Sequence, residues 1–326
     1  MVRLIFEIKL NRSSDLKFIY EFDPNLINWG PLTIRYYGVI FALSLFIGFL
    51  FWQWQLKRAK YKQNVIDDII LWGVGGVVVG ARLGHCLFYD WHKYKDNLID
   101  ILFVWEGGLA SHGATIGLII VLFILAKKNK MHPLEIMDRF SFSAACGAAG
   151  VRLGNFFNSE IVGRATDQSW GVLFKSNPQH NILYRHPTQI YEFLMGIFIL
   201  FMLIFADRIS GREKRPLGLL TGLFLGVYFL GRFTVEFFKE FQAKAVIESH
   251  STLTMGQYLS IIPALVGVGI IIWSLKVGKK RTAELNELHL QRIAAEELAE
   301  TQAKQDAEQA DQPAKKKSKY KRRNRK

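Results

Sequence analysis

The sequence predicts an all-α integral membrane protein with seven transmembrane helices, an external N-terminus and a cytoplasmic C-terminus. Two observations predict this fold class. Uncharged apolar runs of about 20 residues, the length that crosses a bilayer core, recur along the chain. Basic residues, in addition, are concentrated in alternate connecting segments. The net charge of +14 on 326 residues would by itself permit nucleic-acid binding. Water-soluble domains rarely contain such apolar runs, however, so no nucleic-acid partner is expected.

The predicted spans differ in strength. They cover residues 36–56, 65–89, 107–126, 134–157, 188–206, 217–238 and 255–275. The first, third and last are the strongest, because the only side chain among them that can be charged near neutral pH is His112. The second and fourth spans carry charged residues but are rich in glycine and alanine, which is typical of closely packed transmembrane helices. The sequence therefore predicts a seven-helix membrane domain over residues 1–281.

The connecting segments predict the orientation of the spans. Segments 57–64, 127–133, 207–216 and 276–281 hold 15 basic residues in 31 positions. The alternate segments 89–106, 158–187 and 239–254 hold 7 in 64 positions. Because basic loops stay on the cytoplasmic side, the first span is predicted to run from outside to inside.

Residues 282–326 are predicted to form a charged cytoplasmic tail outside the membrane domain. Positions 282–312 hold eight acidic and two basic residues, whereas nine of the twelve positions from 315 to 326 are Lys or Arg. A disordered, solvated tail is the first interpretation of this pattern. Attraction of the basic end to anionic lipid of the inner leaflet is the second, and nucleic-acid binding is the third.

Polar residues within six of the spans or at their edges are predicted to lie at one depth, in the outer leaflet. They include Tyr37, Arg82, His112, Arg152, Asn155, Glu160, His186, Glu192, Tyr228, Arg232 and Glu236. Charged groups in a membrane are costly, so each is a candidate functional residue. Three arginines, Arg82, Arg152 and Arg232, have few acidic neighbours in the sequence. An anion is their natural partner, because the guanidinium fork matches phosphate oxygens.

Individual residues of this set allow a structural interpretation as well. Arg232 and Glu236 are four positions apart on one helical face and could form an ion pair. His112 could be a hydrogen-bonded packing residue or a general base. The histidines lack the spacing of metal ligands, so no metal site is predicted. The motif G-x-R-L-G occurs at 80–84 and again at 150–154, where its glycines permit close approach of a helix or a ligand.

Topology and charge alone leave three classes of function open. A lipid-modifying enzyme and an anion or lipid transporter both explain intramembrane arginines, and the third class is a membrane scaffold. A transporter should show inverted repeats and a site at the midplane. Here the repeated motif lies on two parallel helices, and the polar residues lie off-centre. A scaffold would not need arginines and a histidine at one depth.

Several segments resemble the bacterial prolipoprotein diacylglyceryl transferases. They are R-L-G-N-F-F-N-S-E-I-V-G at 152–163, G-G-L-A-S-H-G at 107–113, R-H-P-T-Q-I-Y-E at 185–192 and G-R-F-T-V-E-F-F at 231–238. The resemblance covers roughly residues 20–277. Ala114 and Ser159 depart from the family pattern, and neither departure removes a functional group.

The resemblance implies an activity in the bacterial plasma (inner) membrane. Family members transfer the diacylglyceryl group of phosphatidylglycerol to the thiol of the lipobox cysteine of a prolipoprotein. A thioether forms and glycerol phosphate leaves, in the first step of lipoprotein maturation. The expected partners are phosphatidylglycerol, lipobox-containing prolipoproteins and membrane lipid. No cofactor or metal is expected, because the leaving group is already a phosphate ester.

The resemblance also implies roles for the polar residues, at a site that faces the outer leaflet. The expected catalytic residues are His112, as the base for the thiol, and Arg152 and Arg232, which bind the phosphate. Asn155, Glu160 and Gly163 are expected to shape the site around the glycerol head group. The remaining expected contacts to phosphatidylglycerol are Tyr37, Arg82, His186, Glu192, Tyr228 and Glu236.

Overall fold

Long apolar helices account for most of the structure. The computed structural model describes residues 7–10, 16–30, 32–104, 107–240 and 253–310. Its helices are α1 (Tyr36–Arg58), α2 (Gln63–Asp68), α3 (Val74–Phe88), α4 (Trp91–Tyr94), α5 (Ser111–Lys128), α6 (Pro133–Phe157), α7 (Thr188–Ile209), α8 (Leu219–Glu236), α9 (Met255–Trp273) and α10 (Lys279–Ala310). A π-helical turn joins α2 to α3, and another joins α9 to α10.

Six helical segments of the described residues are long and apolar enough to cross a membrane. They coincide with six of the seven predicted spans, which confirms a multi-pass helical membrane protein. The remaining predicted span, 134–157, corresponds to α6, whose 25 residues are long enough to cross. This helix is less apolar, because it is rich in small residues and carries charged ones such as Asp138 and Arg139. The count of seven spans therefore stays a prediction.

The third span begins later than the sequence predicts. It was expected to begin at residue 107, whereas α5 begins at Ser111. Gly107 and Gly108 have φ angles of 88° and 74°, which lie in the left-handed region and do not start a right-handed helix. The two glycines thus belong to the connection before α5.

The described residues also form five short strands, which the all-α prediction did not include. They are β1 (Glu7–Leu10), β2 (Leu16–Tyr20), β3 (Asn25–Trp29), β4 (Leu32–Arg35) and β5 (Val172–Phe174). Strand β2 lies between β1, which is antiparallel to it, and β5, which is parallel to it. Strands β3 and β4 form a separate hairpin. Tyr20, Phe22 and Phe174 pack against Phe156 and Phe157, so aromatic residues cover the C-terminal end of α6.

Helix α6 lies at the centre of the helical domain, in contact with α1, α5, α7 and α8. Two other helix pairs, α3 with α5 and α8 with α9, meet backbone to backbone through glycines. A Cβ atom on Gly113 would overlap the carbonyl of Gly80, and one on Gly267 would overlap the backbone of Gly226. Close packing of this kind is how transmembrane helices associate without a hydrophobic driving force between them.

A network of ion pairs ties together the N-terminal end of α6 and its neighbours. Arg58 at the end of α1 lies 2.6 Å from Asp207 near the end of α7, and Arg215 lies 2.7 Å from the same carboxylate. Arg139 of α6 pairs with Glu213 at 2.9 Å. Burial raises the pKa of Glu213, but Arg139, Arg215 and Arg58 together outweigh burial and lower it, so the carboxylate stays charged at neutral pH. The network therefore stabilises one end of the helical domain.

The predicted tail differs from the structure over its first part. Residues Lys279–Ala310 form one helix rather than a disordered segment. Alanine, glutamate, leucine, glutamine and lysine dominate this stretch, and all five favour helices. Residues 280–326 form a unit separate from residues 1–279. The basic run at 315–326 lies outside the described residues.

Candidate active site

The packing of the helices brings the polar residues to one end of the helical domain. Gly154 near the end of α6 packs against the ring of Tyr37 at the start of α1, so these helices are antiparallel. Asp138 near the start of α6 accepts a hydrogen bond at 2.8 Å from the backbone of Gly218, just before α8. The C-terminal half of α5 packs with the N-terminal half of α6 in one apolar cluster. The end of α6, the end of α8 and the start of α5 thus lie at the same end.

Ion pairs of alternating sign join three helix ends there. The Nε atom of Arg152 lies 3.1 Å from Oε2 of Glu192, and Oε1 of that carboxylate accepts a hydrogen bond from Nζ of Lys239 at 3.0 Å. The same ammonium lies 3.3 Å from Glu236. Glu192 and Lys239 are 2% and 4% exposed. Each of these buried groups has a neighbour of opposite charge, which offsets part of the cost of removing the charges from water.

An amide–carboxylate cluster continues the site at the C-terminal end of α6. Asn155 and Asn158 donate hydrogen bonds from their Nδ2 atoms to the same oxygen of Glu160, at 2.9 and 3.2 Å. Arg152 reaches Oδ1 of Asn155 at 3.5 Å. The backbone carbonyl of Glu160 accepts a hydrogen bond from Gln189 of α7. The asparagines therefore hold the carboxylate of Glu160 in a fixed position next to Arg152.

Arg232 stands apart from these pairs. No hydrogen bond or ion pair joins its guanidinium to any residue in the described part of the chain, and its Nε atom is buried. The possible ion pair between Arg232 and Glu236 is therefore wrong, since Glu236 pairs with Lys239 instead. Arg232 lies one turn before Glu236 on α8. Its neighbour Gly231 packs against Met195, one turn after Glu192 on α7. Among the described residues, Arg232 is thus a cation without a protein partner, at the same end of the helical domain as the paired Arg152.

His112 lies in the first turn of α5 and is exposed. Within the described residues, its ring makes no hydrogen bond or ion pair. The structure places it at the same end as Arg152 and Arg232, with its imidazole open to an incoming group. The backbone of the next residue, Gly113, packs tightly on α3, which fixes the start of the helix.

The comparison with known proteins decides the family. A family model described as prolipoprotein diacylglyceryl transferase matches residues 24–273. The chain belongs to the prolipoprotein diacylglyceryl transferase family. It is 38% identical over 261 residues to the phosphatidylglycerol–prolipoprotein diacylglyceryl transferase of Chloroherpeton thalassium, covering 79% of this chain and 94% of that relative. A protein of the same name from Bacteroides fragilis is 34% identical over 274 residues, covering 80% of this chain and 96% of the relative.

In this member of the prolipoprotein diacylglyceryl transferase family, Arg82 lies in surroundings that differ from those the sequence predicted. Arg82 is 2% exposed, and its guanidinium donates to the backbone carbonyls of Asp100, Ile101 and Gly107. The guanidinium of Arg82 is therefore bound to backbone carbonyls, and it does not form part of the cluster around Arg152. Its expected contact with phosphate has no support in this geometry.

Gly163 also packs against backbone atoms of the protein and does not face open space. Its backbone N–H donates to the carbonyl of His186 at 2.9 Å. A Cβ atom there would overlap the carbonyls of His186 and Phe238. A glycine at this position lets the segment after α6 lie against the end of α8, which positions Lys239. Its expected contact with the glycerol head group stays a prediction.

Two further residues of the expected set have partners of their own. The Nδ1 atom of His186 lies 3.0 Å from the hydroxyl of Tyr191, which in turn accepts from Trp170. Burial lowers the pKa of His186, so its ring is neutral at neutral pH. Tyr228 stacks on Phe224 with ring centroids 5.4 Å apart.

Sequence reasoning missed Lys239, which it counted as one of two basic residues in the connection from 239 to 254. The buried ammonium of Lys239 lies between Glu192 and Glu236. The backbone carbonyl of Lys239 accepts a hydrogen bond from Arg164. One signal was present in the sequence, because Lys239 follows Glu236 by three residues, a spacing at which side chains on a helix meet.

Proposed function

We propose that the chain transfers the diacylglyceryl group of phosphatidylglycerol to the thiol of the lipobox cysteine of prolipoproteins, the first step of lipoprotein maturation. One observation carries the proposal beyond family membership. The guanidinium of Arg232, which has no partner among the described residues, lies at the same end of the helices as the ion-paired Arg152. Arg232 is partly buried, and a cation withdrawn from water is costly unless an anion joins it. The phosphate of an anionic lipid is such an anion.

The arrangement supports a displacement at carbon. The thiolate sulfur attacks the glyceryl carbon that bears the phosphate, an S–C bond forms, and the C–O bond breaks with its electron pair going to the phosphate oxygen. Arg232 and Arg152 stabilise the negative charge that grows on the leaving glycerol phosphate. Glu192, Lys239 and Glu236 hold Arg152 and the end of α8 in place, while Asn155 and Glu160 bind the hydroxyl groups of the head group.

His112 is the proposed base. A thiol is a poor nucleophile until it loses its proton, and a neutral imidazole accepts that proton. The exposure of the ring and its lack of a partner among the described residues leave it accessible to the acceptor cysteine.

The proposed setting is the bacterial inner membrane. Seven helices, α6 included, cross the bilayer with the N-terminus outside and the C-terminus in the cytoplasm, as the distribution of basic residues predicts. The site then opens to the outer leaflet, where the signal helix of a prolipoprotein delivers its cysteine beside a lipid donor.

A reconstituted assay tests the function directly. The purified full-length chain, in vesicles that contain phosphatidylglycerol, is given a lipobox peptide, and the product is analysed by mass spectrometry. We expect a peptide heavier by one diacylglyceryl group and one glycerol phosphate released per peptide. The matched control is the same peptide with serine in place of cysteine, which should stay unmodified. Lipid flux across the vesicle without a thioether would indicate a transporter instead.

Asn155→Ala should lower kcat/KM by about 10- to 100-fold, because Glu160 loses the amide that aligns it and misplaced groups are costly at a reacting centre. Asn158→Ala, which removes the other donor to Glu160, is the matched comparison and should have a smaller effect. Thermal unfolding in detergent measures the stability of both variants. Parallel losses of folding and activity in Asn155→Ala would mean that this residue only caps α6.

Deletion of residues 282–326 should leave turnover in the reconstituted assay nearly unchanged. The deleted residues lie outside the matched range 24–273 and in the unit that begins at residue 280. Turnover per correctly inserted molecule is the quantity to compare. A large loss in a well-inserted truncation would assign the tail a part in the reaction.

A further inference from the structure

The connection between α3 and α5 contains an apolar segment that lies outside the membrane-spanning helices. Residues 98–104 read L-I-D-I-L-F-V, with one polar side chain in seven. Leu98, Ile99 and Leu102 are 58%, 57% and 67% exposed. Connections that run through water normally expose polar residues, and a row of exposed apolar side chains indicates an apolar partner.

The backbone of this segment has an unusual hydrogen-bond partner. Leu98–Leu102 form one 3₁₀ turn, and the chain leaves it without a regular helix. The Nε atom of Arg82 donates to the carbonyl of Ile101 at 2.9 Å, and its Nη2 atom donates to the carbonyl of Asp100 at 2.7 Å. The Nη1 atom donates to the carbonyl of Gly107. One buried guanidinium thus binds two backbone carbonyls of this irregular segment and a third, that of Gly107, just after it.

In water these carbonyls would need no such partner, because solvent would hydrate them. Burying an arginine charge for this purpose is costly. In the apolar part of a bilayer, irregular backbone is tolerated only where the protein satisfies its polar groups. The position of Arg82 therefore fits a segment that lies at membrane depth.

Exposed apolar residues also occur where the flanking helices end and begin. Phe88 and Tyr89 at the end of α3 are 81% and 60% exposed, and Leu109 just before α5 is 58% exposed. Trp91 and Lys93 follow in α4, and tryptophan and lysine are typical anchors at a membrane surface. Exposed apolar residues thus flank the segment on both sides along the chain.

We propose that residues 98–104 lie in the bilayer interface, with Leu98, Ile99 and Leu102 facing lipid, and that Arg82 replaces water for the carbonyls of this segment. The inference rests on the helices crossing a membrane and is independent of the proposed activity. It assigns Arg82 the role of a positioning residue. It also places lipid beside the glycines that lead into His112.

Spin labels measure the surroundings of the segment. Cysteine is introduced at position 98, 99 or 102 of the full-length chain and labelled with a nitroxide, and the protein is reconstituted in phosphatidylglycerol-containing vesicles. Cys86 and Cys146 are buried, so the unsubstituted chain serves as the labelling blank. Power saturation then gives the accessibility of each label to oxygen, which partitions into lipid, and to a water-soluble nickel chelate.

Two matched positions calibrate the measurement. Asp96→Cys is an exposed polar position of the same connection, and Ile120→Cys, 53% exposed, lies within α5. We expect the three labels to be accessible to oxygen and protected from nickel, at depths between those of the two controls. Nickel accessibility equal to that at position 96 would overturn the proposal in favour of water. Protection from both reagents would overturn it in favour of a covering protein surface.

The role of Arg82 is tested in the chain labelled at position 102. Arg82→Met removes all the donors, and Arg82→Lys keeps the charge without the fork. In both variants we expect the label at position 102 to become more mobile and more accessible to nickel, since the carbonyls then require water. A label at position 120 should stay unchanged, which shows that the fold is kept. If Arg82→Met does not fold, Arg82→Lys provides the measurement. An unchanged label at position 102 in a folded variant would refute the role.

Discussion

Replacing His112 with glutamine should lower turnover by at least about 100-fold at pH 7, the contribution expected of a general base. Glutamine keeps much of the volume and the hydrogen bonding of the side chain but cannot take up the thiol proton. A thiol with an ordinary pKa of about 8.5 is mostly protonated at neutral pH, so without a base little thiolate forms. The initial rate of thioether formation in the reconstituted assay measures the effect.

The dependence of the rate on pH distinguishes a general base at His112 from ionisation of the thiol by the arginines alone. If His112 is the base, turnover of the unsubstituted chain falls as pH is lowered, because imidazolium cannot accept a proton. His92→Gln, which changes an exposed histidine of α4, is the matched control and should behave like the unsubstituted chain. The rival is that the arginines alone ionise the thiol. Substantial activity in His112→Gln that rises steadily with pH would favour that rival.

Arg232→Lys should lower kcat/KM by at least about 100-fold, comparable to the loss of one preorganised donor to a developing anion. Lysine keeps the charge but loses the planar fork that matches two phosphate oxygens. Arg152→Lys should also lower activity strongly, because Arg152 is the second proposed phosphate ligand. The same assay gives kcat and KM, and thermal unfolding shows whether the variants are folded.

The structure predicts a difference between the two variants. Arg232 has no partner in the described part of the chain, so its replacement should leave stability nearly unchanged. Arg152 is paired with Glu192, so Arg152→Lys should also lower the unfolding temperature. Arg208→Lys, an exposed arginine at the other end of α7, should affect neither quantity. Full activity in both Arg152→Lys and Arg232→Lys would contradict the assignment of the phosphate site.

The sequence predicted the positions of the long helices well, because bilayer thickness dictates the length of an apolar run. It predicted the start of α5 poorly. The positive φ angles of Gly107 and Gly108 belong to the connection before α5, whose backbone is bound by Arg82, and the sequence does not show this contact. The strands were missed for a related reason. They are three to five residues long, which is too short for a clear alternating pattern. The aromatic residues of β2 are buried only because they pack against the end of α6, a contact that the sequence does not reveal.

The sequence predicted which residues lie at the candidate site better than it predicted which of them form ion pairs with one another. Depth along each helix follows from orientation, so the shared end of Arg152, His112 and Arg232 could be predicted residue by residue. Pairing depends on how the helices turn toward one another, which one sequence does not reveal. The ion pair between Glu236 and Lys239 in place of Arg232, and the use of Arg82 by backbone carbonyls, are consequences of that packing.

The glycine contacts within the two helix pairs bear on how the molecule can move. Backbone atoms touch along α3 and α5, and again along α8 and α9, so the helices of a pair cannot slide past one another without overlap and cannot separate without losing this packing. His112 belongs to the first rigid body and Arg232 to the second. The gap between them is therefore set by how each body sits against α6 and α7, where side chains rather than backbones make the contacts. We therefore expect any change in that gap to be a displacement of one helix pair as a whole relative to α6 and α7.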